Sequence, residues 1–499
     1  MTDSNPSEPM LERLATGIPG LDQVLGGGLV RGDAYLVIGG AGTGKTTLGN
    51  QLAHNVAQVG GTALFVTVLA EQHDRMLSHL RGFGFFDPSL VSRRVQYVSL
   101  YDPLRTGGLD AVLGQARALV REHRATLLVV GGAGYLGRHA ASDVALAQFV
   151  MSLNTQLSRL GCTTLLLSDQ TDPAATHAGL LDGIVRLHDE AVGLHQLRLL
   201  EAVKVRGVDY LRGRHQFAIT AAGIQLYPRL EASVAHDPPV ATEQPERAAF
   251  GVPGLDEMLR GGLVAGSTTL VLGAPGAGKT TAGLHLLVEG ARRGEAGLIA
   301  TFHETPPRLI GKAEKLGLEL GPLVEADRVR ILWRPPVEVL LDAWAQELLA
   351  AIEEHRPRRL FIEALTDLER LAVVPDRIFG FLTALTAEVR ARGITTLLSA
   401  EVPAVVGGPP AMPQPALSAS IENAILLRYV ELHSQLHRLL SIVKVRESAY
   451  DTAIREFAIT EEGLKVAATF QSAEAVLTGI ARIVPSSAGR SRHPETEAE

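Results

Sequence analysis

Two glycine-rich segments of this chain end in lysine and threonine, a combination suited to holding phosphate. They are Gly39-Gly40-Ala41-Gly42-Thr43-Gly44-Lys45-Thr46-Thr47 and Gly273-Ala274-Pro275-Gly276-Ala277-Gly278-Lys279-Thr280-Thr281. Both fit Gly-x-x-x-x-Gly-Lys-Thr. Glycines let successive backbone N–H groups turn inward around phosphate oxygens. A helix N-terminus behind such a loop adds partial positive charge. Lys45 and Lys279 are then placed to meet the β- and γ-phosphates of ATP, and the hydroxyls of Thr46 and Thr280 to ligate Mg²⁺.

The flanking sequence supplies the elements such loops need. Tyr35-Leu36-Val37-Ile38 and Thr269-Leu270-Val271-Leu272 read as buried strands, and a helical pattern follows each loop. This strand–loop–helix context separates a phosphate-binding loop from a chance match. The repeat reaches well beyond the loops. Thr16-Gly17-Ile18-Pro19-Gly20-Leu21-Asp22 and Phe250-Gly251-Val252-Pro253-Gly254-Leu255-Asp256 each lie upstream, with Gly17 and Gly251 both 28 positions before their loop lysine. Val203-Lys204-Val205-Arg206 and Val443-Lys444-Val445-Arg446 close the two halves, followed by Phe217-Ala218-Ile219-Thr220 and Phe457-Ala458-Ile459-Thr460. The loop lysines are 234 positions apart and the late lysines 240, so the second half carries six extra residues, assigned to the Gly/Pro-rich stretch 407–415. A period this long means tandem domains.

Composition agrees. A chain of 499 residues allows two domains with full cores. Apolar runs alternating with Ala/Leu/Arg/Glu-rich helical patterns imply βαβ units on mostly parallel sheets. The expected organisation is a tail at 1–13, a first domain at 14–232, a linker at 233–248, a second domain with a C-terminal segment at 249–482, and a disordered tail at 483–499. The single cysteine, Cys162, excludes an internal disulfide, suits a cytoplasmic protein, and reads as a core residue. No apolar run approaches the length of a membrane span, and 1–9 lacks the pattern of a secretory leader. A net charge of −7 argues against a nucleic-acid partner. The basic pairs Arg292-Arg293 and Arg358-Arg359 read as solvated helix ends.

Tandem P-loop halves, each opened by a G-x-x-G-L-D segment and closed by K-V-R, resemble the KaiC family of circadian-clock ATPases from about residue 14 to about residue 482. The resemblance implies two RecA-like P-loop NTPase domains, a hexameric ring with ATP between subunits, and a KaiB-like or histidine-kinase partner. It also implies that Lys204 and Arg206, and Lys444 and Arg446, reach a neighbour's γ-phosphate. On an extended strand, residues two apart share a face, so each pair presents two cations together, as an arginine finger does.

Three positions depart from the family pattern. Where the family places an Asp that helps hold Mg²⁺, the first half has Gly131 and the second Glu363, whose extra methylene moves the carboxylate by about 1 Å. Where the family carries paired glutamates, the first of them the main catalytic base, the second half has His303-Glu304. The first half has Ala70-Glu71, aligned across a one-residue insertion. Imidazole titrates near neutrality, so His303 could serve as a base. Both sites look impaired, the first more than the second. Where clock proteins of the family phosphorylate an adjacent Ser-Thr pair, Ser418 matches the serine and Ala419 replaces the threonine, with Ser420 one residue on.

Three functions fit this sequence. One is an ATP-binding signalling protein with slow ATPase and serine autokinase activity at Ser418, assembled as a nucleotide-dependent ring. The second is a nucleotide-bound scaffold with negligible turnover. The third is a RecA/RadA-like DNA-dependent ATPase, disfavoured by the acidic charge and by the lack of a basic, aromatic-bearing segment.

Overall fold

The computed structural model describes residues 11–70, 73–170, 178–234, 246–337, 339–402, 420–432 and 435–467. The chain divides into two compact units, Met1–Ser233 and Val234–Glu499. The expected linker lies largely outside the described residues, as do most of the N-terminal tail, the 407–415 insertion and the segment beyond residue 467.

In the first unit, β1 (Arg13–Leu14) and β2 (Leu29–Val30) form a small antiparallel ribbon. The main strands are β3 (Ala34–Gly39), β4 (Ala63–Thr67), β5 (Val95–Ser99), β6 (Leu127–Gly131), β7 (Thr163–Ser168), β8 (Gly183–Val192), β9 (His195–Val205), β10 (Arg214–Thr220) and β11 (Gly223–Tyr227). They form one nine-stranded sheet in the order β11-β10-β9-β8-β3-β7-β6-β4-β5. The strands from β8 to β5 are parallel, and β9, β10 and β11 are added antiparallel. The parallel strands are near-continuous apolar runs because helices cover both faces. One face packs Val37, Phe65 and Leu165 against Leu48, Leu52 and Val56 of the helix Lys45–Gln58. The other packs Leu36, Leu64 and Leu128 beneath Leu119, Phe149 and Leu153.

The second unit repeats this plan. A ribbon of β12 (Arg247–Ala248) and β13 (Leu263–Val264) precedes β14 (Thr268–Gly273), β15 (Gly297–Thr301), β16 (Val329–Trp333), β17 (Arg359–Ile362), β18 (Thr395–Glu401), β19 (Asn423–Leu432), β20 (Gln435–Val445), β21 (Arg455–Thr460) and β22 (Gly463–Val466). The sheet order is β16-β15-β17-β18-β14-β19-β20-β21-β22, strand for strand the arrangement of the first unit. These are two tandem RecA-like α/β domains with mostly parallel sheets. Arg359 departs from the sequence reading. It is a fully buried residue opening β17, not a solvated helix end. Its guanidinium donates to the Glu295 carboxylate at 2.5 Å and to the carbonyls of Ala249 and Leu286 at 2.6 and 2.8 Å. A buried arginine is tolerated only when paired and hydrogen-bonded in this way.

The last hairpin of each domain is fastened to the P-loop helix. Gln51 accepts from the Ile224 N–H at 2.7 Å and donates to the Ile224 carbonyl at 3.1 Å. At the same place in the second helix, His285 Nε2 accepts from the Leu464 N–H at 2.9 Å. Burial pushes the His285 pKa down to about 4, with Arg292 adding to the effect. Unfolding frees the imidazole to bind a proton, so stability falls as pH drops below about 6.5 and levels off near pH 4, a loss of about 3 kcal/mol. His285→Gln, which copies Gln51, should flatten that acid limb in the second domain. Trp333 and Trp344 are the only tryptophans of the chain, so denaturant unfolding followed by their emission at pH 7 and pH 4.5 reads this domain alone. Equal acid sensitivity in the variant would contradict the assignment.

Candidate functional site

Each P-loop is braced by its own lysine and by the distant hairpin. Lys45 Nζ donates to the carbonyls of Gly39 and Gly40 at 2.6 and 2.7 Å. Lys279 Nζ donates to those of Gly273 and Ala274 at 2.9 and 3.0 Å. Gly44 and Gly278 cap the helices Lys45–Gln58 and Lys279–Arg292 with φ of 97° and 107°, where a side chain would be strained. An added Cβ there would also meet Ile219 at 2.7 Å and Ile459 at 3.0 Å. The repeated Phe-Ala-Ile-Thr motif is thereby accounted for: its isoleucine walls the loop. Burial depresses both loop lysines, opposed by Asp169 beside Lys45 and by Glu401 beside Lys279. Glu401 pairs in register with Gly273 at the end of β18, and Asp169 directly follows β7, the equivalent strand. The sequence reading missed both carboxylates, which only the strand order brings next to the loops.

The second cleft, about 530 Å³, gathers Lys279, Thr280, His303, Glu304, Lys312 and Glu363. Glu363 is buried and doubly engaged: the Thr280 hydroxyl donates to it at 2.5 Å and the Thr301 hydroxyl at 2.7 Å. A P-loop hydroxyl and a carboxylate in contact are hard oxygen donors that fit Mg²⁺. Among the described residues no three His, Cys, Asp or Glu side chains converge as a protein-only metal site, so any cation here must complete its shell with water or phosphate. His303 Nε2 lies 2.9 Å from Oδ1 of Asp367, a buried residue of the short helix Leu365–Leu371. A carboxylate only accepts, so Nε2 is the donor of this bond, and in the neutral ring Nδ1 is then the acceptor. Glu304 is engaged with Lys312 at 3.3 Å. Asp367 was not anticipated from sequence; it lies 64 positions from His303.

The first cleft, about 360 Å³, is lined by Lys45, Thr46, Gly131, Tyr135, Arg138 and Asp169. Gly131 ends β6, beside Thr67 of β4, and offers no carboxylate. The Thr67 hydroxyl, whose counterpart Thr301 donates to Glu363, bonds His73 Nε2 at 2.9 Å instead. Glu71 lies outside the described residues, and Ala70 carries no ionisable group.

The K-V-R motifs stand far from their own loops. The register Tyr35–Gly183–Val205 places Lys204 and Arg206 beside the start of β3, whereas the P-loop follows its end. Lys444 and Arg446 bear the same relation to β14. A register shift between Ile184 and Val185, and another between Ala424 and Ile425, make a bulge before each motif. The bulge leaves Val203 and Val443 exposed and re-aims the residues after them. Lys204 Nζ donates to the carbonyls of Gly179 and Leu181, Arg206 pairs with Asp182 at 3.3 Å, and Lys444 Nζ donates to the Ile421 carbonyl. Both lysines are depressed, first by burial and then by the arginine two residues on. Ser418 lies outside the described residues; the Ser420 hydroxyl is 3.2 Å from that of Thr383.

No helix among the described residues is long and apolar enough to cross a membrane. The chain is similar to the circadian clock protein KaiC3 of Synechocystis sp., 27% identical over 94% of each chain. It is similar also to the circadian clock oscillator proteins KaiC of Picosynechococcus sp., 26% identical over 94% of this chain and 92% of the relative, and of Synechococcus elongatus, 24% identical over 96% and 93%. The model of the KaiC ATPase family matches residues 14–231 and 248–470, one stretch for each domain. With both halves matched and the strand plan repeated, the chain belongs to the KaiC family of ATPases.

Proposed function

We propose that this protein is a cytoplasmic, ATP-binding signalling protein that assembles as a nucleotide-dependent homo-oligomeric ring, a hexamer, with slow ATP hydrolysis confined to the second domain. The observation that carries this reading is the placement of Lys204/Arg206 and Lys444/Arg446 at the end of each sheet opposite the P-loop. Within one chain these cations cannot reach the phosphates that their own P-loop would hold. Each pair would instead complete a neighbour's site, where it would stabilise the transferring phosphoryl group. ATP shared between subunits then stabilises the assembly by mass action.

In the second cleft Thr280 and Glu363 are the residues that would hold Mg²⁺, which neutralises charge on the β- and γ-phosphates. His303, oriented by Asp367, would accept the proton of the attacking water at Nδ1. Output would pass to a protein partner of the KaiB or histidine-kinase class, by family resemblance. Ser418 is the acceptor expected for any autokinase activity, because the Ser420 hydroxyl is engaged with Thr383. The scaffold alternative keeps the same ring without turnover, and its support is the missing carboxylate at Gly131.

Complementation tests the shared site. Lys279→Ala and Lys444→Ala should each be inactive alone. Mixed in equal amounts and reassembled with ATP, they should recover about a quarter of wild-type turnover, the fraction of interfaces uniting an intact loop with an intact finger in a cyclic homo-oligomer. Light scattering should show the large particle only with ATP. A monomer at saturating ATP and Mg²⁺, or a mixture as dead as its parts, would overturn the ring.

A further inference from the structure

We propose that the first site binds a nucleoside polyphosphate without a divalent cation, with Arg138 supplying the charge that the metal supplies elsewhere. The inference rests on the reading of both P-loops as nucleotide sites and goes beyond it. The two domains act as internal controls for each other. In the second, the P-loop hydroxyl of Thr280 and the carboxylate of Glu363 are in contact, and Thr301 braces that carboxylate. In the first, Gly131 takes the carboxylate's place and His73 has captured the bracing hydroxyl of Thr67. The metal-holding set is dismantled at two positions, so these residues do not fit Mg²⁺ as those of the second site do.

What the first cleft has instead is a cation. Arg138, on the 3-10 turn Ala133–His139 that follows β6, lines the same cleft as Lys45 and Thr46. Its guanidinium lies 5.7 Å from the centre of the Tyr135 ring, a cation–π contact that restrains it. Among the described residues no carboxylate forms an ion pair with it. A guanidinium presents a planar fork of donors to phosphate oxygens and stays charged at any physiological pH. Asp169 does not replace the lost carboxylate. Its counterpart, Glu401, coexists with Glu363 in the second cleft and therefore occupies a different position.

Steric space makes a reverse test available. The three atoms nearest to a Cβ built on Gly131 belong to Phe65, Thr67 and Val66, at 3.4–3.6 Å, which is ordinary contact. Gly131→Glu can thus reinstate the carboxylate of the second site.

The test is equilibrium binding of a fluorescent ATP analogue in Mg²⁺ and in EDTA, on full-length protein with one loop lysine removed. Lys279→Ala reports the first site. Its affinity should change less than about threefold between the two media, because no metal–carboxylate contact is lost. Lys45→Ala reports the second site, which should weaken at least about tenfold in EDTA. In the Lys279→Ala background, Arg138→Ala should cost the first site about tenfold or more in EDTA, the effect of removing a charge-assisted phosphate contact. Gly131→Glu should make that site gain affinity with Mg²⁺. Binding at the first site in Mg²⁺ alone would overturn the inference and leave the nucleotide reading intact. Binding in neither medium would overturn both.

Discussion

Lys279→Ala should remove nearly all ATP turnover, and Lys45→Ala should leave most of it. The asymmetry follows from what surrounds each lysine. Both anchor a loop of the same shape, so both should matter for binding. Only the second cleft adds a carboxylate touching the P-loop threonine and an imidazole held by a buried aspartate. Removing a preorganised phosphate contact there should cost on the order of 10²-fold or more in rate. Single-turnover hydrolysis by the two variants, with bound nucleotide measured alongside, separates loss of chemistry from loss of binding. Comparable turnover from the Lys279→Ala protein would refute the division of labour between the domains.

His303→Ala should lower turnover about 10²–10⁴-fold, the usual contribution of a positioned base. His303→Glu, which restores the residue type of the family pattern, should recover much of the loss. Asp367 is a positioning residue in this scheme. Asp367→Asn should reduce wild-type activity and alter its pH profile, yet have little effect in the His303→Glu background, where no imidazole needs orienting. Tryptophan emission checks that the buried substitution leaves the second domain folded. If Glu304→Gln, not His303→Ala, abolishes the activity, the base has been misassigned.

Much of the fold and part of the site were legible in the sequence because they are local. A P-loop is a contiguous string whose glycines, lysine and threonine act within one turn of chain. Gly131 and Glu363 were equally plain once the family pattern was laid over the apolar run that each ends. What escaped was whatever depends on pairing between distant strands. Asp169 and Glu401 become neighbours of the loop lysines only because β7 and β18 lie beside β3 and β14. Asp367 is one carboxylate among many until the chain after β17 turns it toward His303. Arg359, placed among solvated pairs by its charge, is interior because strand β17 is central. The bulges before the K-V-R motifs leave no trace in hydrophobic pattern, since Val203 and Val443 look like ordinary strand residues. The exchange of Gln51 for His285 is readable only once the two are seen serving equivalent backbone amides, those of Ile224 and Leu464.

The fastening of each terminal hairpin sets where this protein can be cut. A fragment stopped after Arg206, where the family motif ends, would lack Ile219, which walls Gly44, and Ile224, which occupies Gln51 from both sides. The residues that wall the P-loop are thus among the last to leave the ribosome for that domain, and the loop sequence near the start must wait for them. A stand-alone first domain therefore has to run through Tyr227, and a stand-alone second domain through Val466. Shorter pieces would carry every residue of the signature string and still lack the wall against which it is built.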